Sequence, residues 1–167
     1  MASACSDLHK SEQLALLTKL EEKVLIAQTN VKKANDHELQ EIQRYFAHHL
    51  KKIGDSLEGK EITKGTAYFL DSCKYLLHEL SNYQLQKQYF DSTSTQSMRR
   101  IKDLHHDISE QTGDRKSYQT FIALEQKQVE QLIHSSNEIG TTSNEVTTMA
   151  KHLAVRLQDL TIHYKQQ

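Results

Sequence analysis

From Tyr118 onward, apolar and small residues recur at Ile122, Glu125, Val129, Leu132, Ser136, Ile139, Ser143, Val146, Ala150, Leu153, Leu157, Leu160 and Tyr164. The steps alternate between four and three without a skip. Such a repeat describes the buried seam of helices that pack as in a coiled coil. Gly113 is placed to end the preceding helix in a left-handed conformation, and Asp114 to cap the next. A helix from about residue 115 to 164 would be roughly 75 Å long at 1.5 Å per residue, which predicts a rod.

The first third carries two seams. Leu17, Leu20, Val24, Ala27, Val31 and Ala34 form one; Leu39, Ile42, Phe46, His49, Ile53 and Leu57 form another, out of phase with it. Asn35 and Glu38 lie between them at capping-box spacing, so the chain either kinks or stutters there. Gly54, Gly59 and Gly65 bracket the best loop in the chain. The middle seam runs through Phe69, Cys73, Leu76, Leu80, Tyr83 and Phe90, flanked by Leu70 and Leu77, and resumes at Met98, Ile101, His105 and Ile108. Between these halves stands Asp91-Ser92-Thr93-Ser94-Thr95, whose side chains compete for backbone hydrogen bonds and mark a break or weak point, although a helix could run through it.

Composition sharpens this picture. The 167 residues include no proline and only 5 glycines, too few for the tight turns of a sandwich, barrel or doubly wound sheet. The fold class expected is all-α: an elongated antiparallel helical bundle of three long arms, which kinks at the weak points could turn into four or five helices. Residues 1–10 are expected to be a flexible N-terminus and residues 11–167 a single domain.

Charge narrows the range of partners. Lys and Arg number 21 against 22 Asp and Glu, for a formal charge of −1, whereas a protein gripping many phosphates carries a basic excess. Arg44 with Lys51 and Lys52, and Arg99-Arg100 with Lys102, are short basic stretches mixed with acids and lacking interleaved aromatics. They read as solvated helix faces, and no nucleic-acid partner is expected. No apolar run approaches a membrane span, no cleavable leader is visible, and Cys5 and Cys73 form no metal spacing, so a cytoplasmic protein is expected, with export by an unrecognised route still open. The ten histidines suggest a bundle sensitive to acid.

Motifs for catalysis are missing. There is no nucleophile elbow, phosphate-binding loop or His-Glu-x-x-His, and no Glu-x-x-His of the kind used by carboxylate-bundle metal proteins. Asp103 with His106, and His105 with Ser109, share a helix face but form no larger ligand set. No catalytic residue, metal or cofactor is expected. The unusual feature is the last seam, where Ser136, Ser143 and Ala150 recur every seventh residue opposite Ile139, Val146 and Leu153. Small residues in that register let another helix approach closely. They serve either this chain's own packing or a groove for a partner helix. Tyr75 and Tyr89 fall off the middle seam, as interface anchors or bundle-edge residues do.

One short string points elsewhere. Ala47-His48-His49-Leu50-Lys51 resembles the Ala-His-x-Leu-Lys string of histidine phosphotransfer domains, which are also helical bundles. The resemblance implies His48 as phospho-acceptor and Lys51 as its neutraliser. Lys52 stands where that family has a small residue.

The function expected is therefore a non-catalytic interaction module, an adaptor or complex subunit that binds other proteins by helix packing and can itself form homo- or hetero-oligomers. Ser136, Ile139, Ser143, Val146, Ala150 and Leu153 are its expected partner-binding residues. The alternatives are a phosphotransfer bundle using His48, or a secreted or injected bacterial helical effector.

Overall fold

A computed structural model describes residues 3–58, 60–112 and 114–165, with side chains described from 9 to 164 within those ranges. Four helices account for nearly all of it: α1 (Ser3–Lys32), α2 (Asp36–Leu57), α3 (Lys64–Glu110) and α4 (Tyr118–Lys165). No strand occurs among the described residues. Helix α1 already begins at Ser3, and Lys10 Nζ donates to Ser109 O at 2.8 Å.

By contacts the chain divides into two compact units. The first comprises residues 1–33 with 87–138, and the second residues 34–86 with 139–167. Each takes one part of α3 and one part of α4, and each adds its own third helix.

In the first unit α1 runs antiparallel to α3, as the contacts Lys10–Ser109 and Gln28–Ser94 require. Its core joins Leu17, Leu20, Val24, Ala27 and Val31 of α1 to Phe90, Ile101, Leu104 and Ile108 of α3. Ile122, Val129 and Leu132 of α4 complete it. In the second unit Leu39, Phe46 and Ile53 of α2 meet Phe69, Cys73, Leu76 and Leu80 of α3, with Ile139, Val146, Ala150 and Leu157 of α4. Removing such apolar surface from water contributes about 25 cal/mol per Å², the main force holding each three-helix packing closed.

Helix ends follow local chemistry. Asn35 caps α2 by accepting from Glu38 N at 3.2 Å, and its amide donates to the Glu38 carboxylate. Thr63 does the same for α3, accepting from Thr66 N at 3.2 Å. The expected loop shrinks accordingly: Gly54 lies inside α2 and Gly65 inside α3.

Of the two alternatives at residues 91–95, a break or a continuous helix, the structure has the continuous helix. Ser94 and Thr95 hydroxyls both donate to Asp91 O, at 3.2 and 2.7 Å, so the competing groups are satisfied along the helix itself. Seam phase differs there. Ser97 and Leu104 are buried, whereas Met98 and His105 are only partly so.

At the other turn, Gly113 lies outside the described residues. The left-handed residue is Gln111 (φ 58°), and Thr112 N donates to Asp107 O at 3.0 Å, closing α3 with a Schellman-type bond. Asp114 does not cap α4 directly. It accepts from Lys116 N and Ser117 Oγ, organising one turn before the helix starts at Tyr118. Because glycine adopts the left-handed region without a Cβ penalty, Gln111→Gly is expected to raise unfolding stability by about 0.5–1 kcal/mol, read from denaturant midpoints. A lower midpoint would show that the Gln111 side chain stabilises the turn by more than its backbone conformation costs.

Candidate functional site

The expected partner-binding strip is built into the core. Ser136 is 2% exposed, Ile139 1%, Ser143 6%, Val146 2% and Ala150 3%, with Leu153 half-buried. Ser136 Oγ donates to Ile133 O at 2.8 Å, so its hydroxyl is satisfied without a partner. Small residues here serve close approach within the units. In this closed arrangement most of the strip presents no surface to another protein.

Ala150 is the member that reaches an opening. In the second unit, α2 and α4 leave a groove of about 280 Å³ between them. Ile42, Tyr45, Phe46, Ala150 and Ala154 form its apolar lining, and Glu38, Glu41 and Lys151 its charged rim. Its depth comes from α4, where alanine stands at both facing positions. The Tyr45 hydroxyl crosses one end to reach Ala154 O at 3.5 Å, and partial burial raises the pKa of that phenol.

The first unit has a larger groove of about 590 Å³ between α3 and α4. Its walls are long polar side chains, including Lys127, Gln128, Glu130 and Gln131, with Phe90 and Leu132 beneath. Tyr89 stands beside it, 73% exposed. Of the other tyrosine noted off the seam, Tyr75, 55% is exposed.

Next along α2, the two adjacent histidines have different surroundings. His48 is exposed, and His49 turns inward, its ring 4.3 Å from that of Tyr45. Thr161 Oγ1 lies 2.9 Å from His49 Nδ1 and 2.8 Å from Leu157 O, tying the imidazole to α4. Burial lowers the His49 pKa, and the neighbouring His48 and Lys52 add to the effect.

Two other polar features belong to the packing. In the first unit Glu125, on the α4 seam, accepts from Ser97 Oγ at 3.0 Å and from Arg100 Nε at 2.5 Å. This acid is nearly buried yet fully engaged, which ties α4 to α3 at one register. In the second unit the Arg156 guanidinium lies 4.5 Å above the Phe69 ring and donates to Gly65 O. Cys73 is fully buried, and desolvation, which favours the neutral thiol, pushes its pKa up to about 11 despite the opposing charge of Arg156.

Among the described residues no group of three or more His, Cys, Asp or Glu is placed to hold a metal ion, and no helix is long and apolar enough to cross a membrane. Compared with known proteins, the chain matches no family model, no curated protein and no solved structure.

The His49 environment has a consequence for pH. Its folded pKa lies below the unfolded value, so the folded state binds fewer protons. That contribution to stability is present above about pH 6.5 and is lost as pH falls through it. Between pH 7.5 and 5.5 the wild-type Tm should therefore drop further than that of His49→Asn. Equal drops would show that His49 does not sense the change.

Proposed function

We propose that the chain is a non-catalytic protein–protein interaction module, an adaptor or assembly subunit, that receives side chains of a partner helix in the groove between α2 and α4. The observation that carries this reading is the open apolar lining of Ile42, Tyr45, Phe46, Ala150 and Ala154. A slim three-helix packing has no need to leave such a groove unfilled, since two larger residues on α4 would close it. Knob-like apolar side chains are what helices present to one another, and charged rims set which partner is accepted.

Affinity recovery from native extract tests this. Ala154→Phe fills the groove from a half-exposed position and should abolish recovery of a stoichiometric partner while helicity and Tm hold. Ser143→Leu is the contrasting variant. Placed in the core, it should destabilise the second unit by about 1–3 kcal/mol through overpacking. Full partner recovery by Ala154→Phe would exclude the groove as the site.

A second reading, phosphotransfer through His48, is favoured by one observation: that ring is exposed one helical turn from Lys51. Phosphoryl transfer from a phosphorylated receiver should then give an acid-labile label that His48→Gln loses. Equal labelling of the variant would remove it.

A further inference from the structure

The outer side of α2 carries a charge pattern that neither the packing nor the groove uses. Arg44, His48, Lys51 and Lys52 follow one another at i, i+4, i+7 and i+8, the spacing that places side chains on one helix face. All four are exposed, and none forms an ion pair among the described residues. Some other exposed charges on these helices are paired locally, as in His37–Glu41 and Lys74–Asp71, while others, Lys19 and Lys23 on α1 among them, also form no ion pair. Three fixed positive charges and a histidine thus lie within about 12 Å, eight residues at 1.5 Å each. Their field is felt by His49, which Lys52 and His48 both disfavour as a cation.

The stripe is bounded at both ends. Asp36, Glu38 and Glu41 precede it and Asp55 follows it. A long polyanion tracking along α2 would meet these carboxylates and be repelled, whereas a short acidic segment would not. Helical carboxylates at i, i+4 and i+7 match the spacing of Arg44, His48 and Lys51.

We propose that this face of α2 docks a short acidic helical segment of a partner protein through Arg44, His48, Lys51 and Lys52. The proposal rests on reading the chain as an interaction module, and adds the chemistry of what it binds. Steering of this kind sets on-rate and partner choice and weakens with salt.

The probe is a labelled Ala-rich helical peptide of about 20 residues with Glu at i, i+4, i+7 and i+11, titrated into the full chain by fluorescence anisotropy. Binding should weaken about tenfold or more between roughly 20 and 200 mM salt. It should be lost in Arg44→Glu/Lys51→Glu and kept in Lys19→Glu/Lys23→Glu, which changes net charge equally on α1. Equal loss in both variants, or no binding by wild type at low salt, would overturn the proposal. So would tighter binding of a duplex oligonucleotide of about 20 base pairs that the α2 variant loses, since the face would then be a phosphate-backbone site. Failure of the peptide, with groove-dependent partner recovery intact, would refute this inference and leave the interaction reading standing.

Discussion

Everything in this protein depends on one unbroken seam along α4. From Tyr118 to Leu157 every seam position but the half-buried Leu153 is buried, through two compact units that share no other complete helix than α3. A polar chain with so little apolar material offsets its conformational entropy by burying aliphatic residues along the seams of all four helices, Leu17, Ile53, Leu76, Ile101, Ile139 and Leu157 among them, while others such as Leu25, Leu85 and Val155 stay exposed.

Such a core tolerates polarity where the polar group is short or fully bonded. Ser94 accepts from Gln28 and returns its own proton to Asp91 O; Ser136 bonds its own helix; Glu125 is held by Ser97 and Arg100. No buried side-chain nitrogen or oxygen is left without a partner among the described residues. These groups add little net free energy, but each is satisfied in one register only, so a slipped pairing of α3 and α4 would strand a carboxylate in the core. Specificity of packing comes from them, and cohesion from the aliphatic residues around them.

Periodicity made most of this legible. The α4 seam, both seams of the first third, the Asn35–Glu38 cap and the burial of Cys73 are all visible in residue spacing. Less legible were features decided by a neighbour's contribution. The serine stretch near residue 91 reads as a break or weak point until its hydroxyls are seen to close on Asp91 O, and Ser97 reads as surface until Glu125 arrives opposite it. The candidate site lay further still from the sequence. Ala150 and Phe46 were both assigned to seams, but a groove exists only because α2 and α4 meet with alanine on one side and Tyr45 on the other. The basic residues of α2 were visible as a short stretch; that they share an exposed face without ion pairs required the helix and its neighbours.

The two units are threaded through each other in sequence: residues 1–33 belong with 87–138, and 34–86 with 139–167. Synthesis at the ribosome therefore releases α1 long before its companions, and its apolar stripe must wait for more than fifty further residues to emerge. α2 and the first part of α3 wait in turn for the final stretch of α4. Neither unit can be cut out as one continuous fragment, and a nascent chain halted anywhere before residue 139 leaves the second unit one helix short. For most of its time on the ribosome the protein is a set of amphipathic helices in search of cover, a state in which chaperone capture or early partner binding has the greatest effect on its fate.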